Sequence, residues 1–275
     1  MPNNTAPVIA LVDSGIGLLA AAAAVRRLRP DAHLILSGDP DGMPWGPRTP
    51  EDLSGHALAC ARAAAAYEPD ALIIACNTAT VHALEATRAE FEPRIPVIGT
   101  VPAIKPAAAA GGPVAVWATP ATTGSAYQRG LITAFAGGTD VTEVPCPGLA
   151  EAVEQADENA VAAAVAAAAG QTPRGLRALV LGCTHYELVA EQIRTAVQLP
   201  DGLPVAFHGS ADAVAAQALR RIGSAPLPQT QTQTQTQAGP YGRLTVIHSG
   251  RRAELPAQAL AYAEGRLLSA AYLPG

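Results

Sequence analysis

The chain reads as an α/β protein made of two similar doubly wound domains in a pseudo-twofold relation, and three observations predict this. Short β-branched apolar runs alternate with long alanine-rich stretches, the pattern of βα units around a mostly parallel sheet. The unit then recurs. Pro7-Val8 leading to Asp13-Ser14 resembles Pro113-Val114 leading to Thr119-Pro120, an offset of 106, and the run from Ala71 to Cys76-Asn77-Thr78 resembles that from Ala178 to Cys183-Thr184-His185, an offset of 107. Finally, 275 residues suffice for two compact domains. The expected division is residues 1–102 with 209–275 for the first domain and 103–208 for the second.

Taken in order, the apolar runs predict strands at Val8–Val12, His33–Ser37, Ala71–Ala75, Pro96–Ile98, Val114–Ala118, Ala178–Leu181, Pro204–Phe207 and Leu244–His248. Helices are predicted between them at Leu18–Leu28, Asp52–Tyr67, Val81–Phe91, Gly124–Ala136, Asn159–Ala169, Tyr186–Ala196 and Ala211–Ile222. The Gln-Thr alternation from Gln229 to Gln237 carries too little apolar surface to join a core. It reads as a surface loop, with a hairpin edge as the alternative.

Composition excludes several functions. Net charge is −5 and only 15% of residues are charged, so no broad basic surface invites a nucleic-acid backbone. Lys105 is the only lysine and no Gly-Lys pair exists, which removes the phosphate loop of nucleotide hydrolases. A pyridoxal enzyme would have to use Lys105 within the proline-rich stretch from Val101 to Pro106. Cys60, Cys76, Cys146 and Cys183 form no C-x-x-C pair, and Asp13 interrupts the N-terminal apolar run. The expectation is a cytoplasmic protein with reduced thiols, no signal peptide and no membrane span.

Ligands of open α/β sheets bind beyond the carboxyl ends of the strands, where helix N-termini present N–H groups. Cys76 and Cys183 both fall at such a strand-to-helix turn, and facing domains would direct them into one cleft. A thiol at a helix start has its thiolate favoured by the dipole. One such thiol suggests nucleophilic attack, whereas two in matched settings suggest proton transfer at opposite faces of one carbon. Contacts of about 3–3.5 Å on each side put the sulfurs roughly 7 Å apart. Asn77, Thr78, Thr184 and the backbone at both helix starts are the candidate donors for a developing carbanion. Asp13 and His185 are the candidate acid–base groups that serve the sulfurs.

Other readings accompany these. Free cysteine is commonly a small interior residue, the role favoured for Cys60 and Cys146. Asp13 could be a turn or cap residue, His185 a structural histidine, and Glu154 part of a solvated face with Glu151 and Glu158. A zinc site from Cys76, Cys183 and His185 lacks the closely paired ligands of structural sites. The remaining histidines, His56 among them, default to surface or core roles.

Asp13-Ser14-Gly15-Ile16-Gly17, Pro44-Trp45-Gly46, Ala75-Cys76-Asn77-Thr78-Ala79, Thr119-x-x-Thr122, Cys146-Pro147 and the run from Gly182 to Leu188 resemble, in order, the motifs of the glutamate racemases. The likeness runs from about Val8 to His248-Ser249-Gly250. It implies an active site between two α/β domains and reversible conversion of L-glutamate to D-glutamate for peptidoglycan. It implies neither metal nor organic cofactor, and often a homodimer. By position, Cys76 would take the proton from D-glutamate and Cys183 from L-glutamate. Asp13 would assist Cys76, while His185 and Glu154 would assist Cys183. Asp13, Ser14, Trp45, Gly46, Asn77, Thr78, Thr119, Thr122, Thr184 and His185 fall at substrate-contact positions.

Two positions depart from that pattern. Leu18 stands where the family usually carries glycine, and a side chain there costs about 1 kcal/mol or more if the backbone needs a positive φ or close packing. Trp45 replaces the usual tyrosine. The alternatives are therefore racemisation of aspartate or another amino acid, and an impaired member that binds a dicarboxylate or a protein partner. The Thr184 to Leu188 run favours glutamate.

Overall fold

The computed structural model describes residues 6–109, 111–199, 202–227 and 242–270, and the Gln-Thr segment 229–237 lies outside them. The strands are β1 (Val8–Val12), β2 (His33–Gly38), β3 (Ala71–Ile74), β4 (Val97–Gly99), β5 (Val114–Ala118), β6 (Val141–Pro145), β7 (Ala178–Leu181), β8 (Ala206–His208), β9 (Leu244–His248) and β10 (Arg251–Ala253). The helices are α1 (Leu19–Leu28), α2 (Pro50–Ala65), α3 (Asn77–Phe91), α4 (Ile104–Ala109), α5 (Ala126–Phe135), α6 (Leu149–Gln155), α7 (Glu158–Gln171), α8 (Thr184–Glu187), α9 (Ala190–Val197), α10 (Ala211–Arg221) and α11 (Ala263–Ala270). No helix among the described residues is long and apolar enough to cross a membrane.

The chain forms two compact units, Met1–Thr100 with Ala211–Gly275, and Val101–Ser210. The first holds a sheet of order β10-β9-β2-β1-β3-β4, parallel except for β10 against β9. The second holds a wholly parallel sheet of order β6-β5-β7-β8. Pairing β1 with β5, β2 with β6, β3 with β7 and β4 with β8 makes the order of these four strands the same in both sheets, with β9 and β10 added at one edge of the first. The repeat visible at offsets of 106 and 107 is therefore a repeat of topology.

Parallel strands covered on both faces read as continuous apolar runs, and β1, β3, β5 and β7 do so. Because successive side chains alternate between faces, Ala10, Val12, Leu72 and Ile74 meet Leu53, Ala57 and Ala61 of α2 and Ala79 and Ala83 of α3. Ile9 and Leu11 are left for the opposite face. On α1, Leu19 through Arg26 are all buried, and the helix packs against α10 and α11. Arg26 tolerates burial by donating through Nη1 to the carbonyls of Pro30 and Ala32, both at 2.7 Å. In the second unit Ile104, Ala107, Val114, Val116, Ala136, Ala178 and Val180 form one apolar cluster.

Several elements differ from the sequence expectation. Strand β6 escaped notice because Thr142 and Glu143 interrupt its apolar pattern, as suits an edge strand on which only Val144 is buried. Helices α4, α6 and α11 are 6, 7 and 8 residues long, too short to show a period. Helix α3 begins at Asn77 rather than Val81, directly after the cysteine. The predicted helix Tyr186–Ala196 is two helices, with Val189 at φ −120° and ψ 22° between them.

At the exit of β7, Gly182 donates its N–H to the Trp117 carbonyl at 2.7 Å. A Cβ there would lie 2.7 Å from that carbonyl oxygen and 3.2 Å from the Ala118 Cβ. Overpacking of this kind costs about 1–3 kcal/mol. Gly182→Ala is accordingly expected to lower unfolding stability by that amount in chemical denaturation, and an unchanged midpoint would show that β5 and β7 can separate without penalty.

Candidate active site

In the first unit, β1 lies between β2 and β3, so the residues leaving these three strands are neighbours. Val12 pairs with Ile74, and Ala75 donates its N–H to the Val12 carbonyl at 2.8 Å. Asp13 and Cys76 therefore emerge from adjacent strand ends. The Asp13 carboxylate is fully buried and accepts the Ser14 N–H at 2.6 Å and the Ser14 hydroxyl at 3.3 Å. Cys76 is the N-cap of α3, with extended backbone at φ −136° and ψ 124°, and its sulfur makes no capping bond. First-turn N–H groups have no acceptor within their own helix, so Asn77 and Thr78 bring polar atoms beside a half-exposed thiol.

The second unit repeats the arrangement with a different acid–base partner. Cys183 caps α8 at φ −136° and ψ 137°, a backbone nearly the same as that of Cys76. Its Sγ lies 3.8 Å from Nδ1 of His185, whose Nε2 lies 2.8 Å from Oε2 of Glu154 on α6. His185 is 7% exposed and the Glu154 side chain 16%, so the carboxylate–imidazole contact is shielded from water. A thiol, an imidazole and a carboxylate in sequence form a relay in which the acid orients the base. Thr119, at the exit of β5, donates its hydroxyl to that of Thr122 at 3.2 Å, in a turn closed by the N–H groups of Thr122 and Thr123 on the Thr119 carbonyl. Thr184 is buried beside the capping cysteine.

The other two thiols differ in kind. Burial pushes Cys60 up to about 12, with the charges of Asp39 and Asp13 adding to the effect. Burial likewise pushes Cys146 up to about 12, with Cys183 adding to it. Tyr186, fully buried, donates its hydroxyl to the Cys146 carbonyl at 3.3 Å. Burial first, then Cys183 and Cys146, hold its phenol well above the usual range.

Of the sequence-predicted residues, Asp13, Ser14, Trp45, Gly46, Cys76, Asn77 and Thr78 lie in the first unit, and Thr119, Thr122, Glu154, Cys183, Thr184 and His185 in the second. Trp45 is 1% exposed, so its ring is interior, while Gly46 stays half-exposed. Leu18 has φ −66° and ψ −16°, an ordinary helical backbone, and is buried at 4%. The positive φ that would penalise a side chain at that position is absent. No group of three or more His, Cys, Asp or Glu side chains among the described residues could hold a metal ion.

One residue the sequence reading passed over is Asp39, at the exit of β2. Its carboxylate accepts Trp45 Nε1 at 3.0 Å and His56 Nδ1 at 2.7 Å on one oxygen, and the Ser249 hydroxyl at 3.0 Å on the other. Burial alone would raise it, but these donors hold its carboxyl below the ordinary range. The one signal available was its place at a strand exit, because its three partners lie 6, 17 and 210 residues away.

A family model described as Asp/Glu/Hydantoin racemase matches residues 17–223. A glutamate racemase from Roseiflexus sp. is 39% identical over 199 residues, covering 70% of this chain and 73% of the relative. One from Pseudomonas putida is 36% identical over 232 residues, covering 82% and 84%. Among solved structures, Escherichia coli glutamate racemase in complex with L-glutamate and the activator UDP-MurNAc-Ala is similar at a TM-score of 0.75 and 26% identity. That likeness covers 94% of this chain and 92% of the other.

The four thiols should separate by alkylation, because the thiolate is the reactive form. Iodoacetamide on the folded protein near pH 8 is expected to modify Cys76 and Cys183 and to spare Cys60 and Cys146, read by peptide mass spectrometry. Equal labelling of all four would contradict the burial that holds two of them protonated.

Proposed function

The chain belongs to the Asp/Glu/hydantoin racemase family, and from that premise we propose that it is a cofactor-independent glutamate racemase using two cysteines, supplying D-glutamate for peptidoglycan in the cytoplasm. The observation that carries this reading is the matched pair of thiols. Each is an N-cap in the same extended conformation, each follows a strand paired with the first strand of its unit, and each is followed by hydrogen-bonding residues.

The chemistry follows from what each residue can do. One thiolate removes the α-proton while the opposite thiol delivers a proton to the other face, so the stereocentre inverts and the two sulfurs exchange protonation states. No electron leaves the system, and neither a redox nor an electrophilic cofactor enters the balance. The α-carbon is a far weaker acid than a thiol, so charge developing towards the carboxylate needs fixed donors. On this reading Asn77, Thr78 and Thr184, with the backbone at the two helix starts, supply them. At Cys183 the His185–Glu154 pair takes up and returns the proton through the imidazole, with Glu154 favouring its charged form. At Cys76 the buried Asp13 serves the same need.

Contacts to the substrate come, on this reading, from Asp13, Ser14, Trp45, Gly46, Asn77 and Thr78 in one unit and Thr119, Thr122, Thr184 and His185 in the other. The reading also carries a homodimer, which light scattering of the purified chain would register.

In heavy water, either enantiomer of glutamate should gain deuterium at the α-carbon and approach the racemate. Cys76→Ser and Cys183→Ser are each expected to lower racemisation by about 10³-fold or more. Absence of α-deuteration from both enantiomers, followed by NMR, would defeat the reading. Glu154→Gln is expected to lower kcat by about 10–100-fold, because it removes the charge that favours imidazolium. An unchanged kcat would assign Glu154 to structure.

A further inference from the structure

Asp39 follows β2 directly and is 5% exposed, with donors on both carboxylate oxygens. An ionised carboxylate only accepts, so the His56 nitrogen facing it carries the proton, and the indole and hydroxyl donate as well. The main chain of Asp39 is tied in too, because its N–H donates to the Ser14 carbonyl at 3.0 Å. Ser249, in the turn between β9 and β10, donates its N–H to the Gly38 carbonyl at 2.9 Å and holds a left-handed φ of 45°. One carboxylate thus joins the Asp13-Ser14 shoulder, the loop carrying Trp45-Gly46 and the hairpin turn of the C-terminal segment.

The loop is built around this carboxylate. A Cβ on Gly42 would lie 2.0 Å from Asp39 Oδ2 and 2.4 Å from His56 Nδ1, so the chain curls onto the Asp39–His56 pair where only glycine fits. Arg48 returns from the far side, donating Nε to the Gly42 carbonyl at 2.7 Å and its N–H to the Trp45 carbonyl at 3.2 Å. Trp45 is consumed by this packing, and its ring is not available to a ligand. Gly46, by contrast, has open space where a side chain would stand, with nothing within 4 Å of an added Cβ.

We propose that Asp39 is a positioning residue that fixes the main chain of Trp45-Gly46 through the indole N–H, so that this stretch offers substrate its backbone rather than its aromatic ring. The proposal rests on the racemase reading for the identity of the substrate. On this account tryptophan in place of tyrosine changes the anchor and leaves the binding surface in place.

The test is a cycle of substitutions read on KM and kcat separately. Trp45→Phe keeps a ring and removes the donor, and it is expected to raise KM for glutamate about tenfold while kcat stays within about threefold. Asp39→Ala should do the same, and the double variant should be no worse in KM than either single one, since both remove one anchor. Asp39→Asn, which keeps an acceptor oxygen, should recover part of the loss. It replaces Asp39→Ala in the cycle if circular dichroism shows that Asp39→Ala does not fold. Unchanged KM in Trp45→Phe, effects on KM that multiply in the double variant, or a fall in kcat at constant KM would each overturn the proposal.

Calorimetric titration with glutamate needs no turnover and separates the two levels of inference. Wild type that binds without racemising would defeat the racemase reading, with the anchor still judged on the dissociation constants of the same variants. Wild type that racemises while Trp45→Phe binds normally would defeat the anchor alone, and no binding by wild type would overturn both.

Discussion

Parallel pairing dictates where chemistry can sit in this chain. Strands that run the same way end at the same edge, and each must then turn into a helix that crosses back over the sheet. The residues at these turns therefore gather without being close in sequence. Asp13, Asp39 and Cys76 leave three adjacent strands of the first sheet, while Thr119 and Cys183 leave two adjacent strands of the second. The turn also fixes the state of its first residue. An N-cap takes an extended backbone and lies against N–H groups that the helix cannot use, so a cysteine at this position is set beside positive charge. Cys76 and Cys183 share that backbone within 13° in ψ, although different helices follow them.

The same physics sorts the four thiols. Cys60 lies within α2 and Cys146 ends the β6 segment, and both are shut away from water among groups whose negative charge works against ionisation. The two thiols left half-exposed are those at the helix starts.

Duplication of topology has not meant duplication of acid–base partners. The second unit surrounds its cysteine with an imidazole supported by a carboxylate from α6, a helix with no described counterpart at the same place in the first unit. In the first unit Asp13 is buried at the exit of β1, the strand paired with the one that leads to Cys76. The carboxylate of Asp39 belongs to neither relay and serves geometry instead, gathering donors from a loop, a helix and a hairpin turn.

How far the sequence alone reached can be followed residue by residue. Periodicity located β1, β5 and β7 to the residue, because strands buried on both faces are unbroken apolar runs whose ends are marked by polar turns, and it located β9 as well although Thr245 and His248 interrupt its apolar pattern. The matched cysteines were legible for the same reason, as each closes such a run. Short or half-exposed elements such as β6 and α6 were not, since local composition carries little signal where packing decides. Tertiary structure alone decided what joins residues distant in the chain. It set His185 against Glu154, it gave Leu18 an ordinary helical backbone, and it bound Ser249 to Asp39 across 210 positions. Local pattern records which face a residue must bury, whereas a hydrogen bond between remote segments exists only once the sheet has brought their ends together.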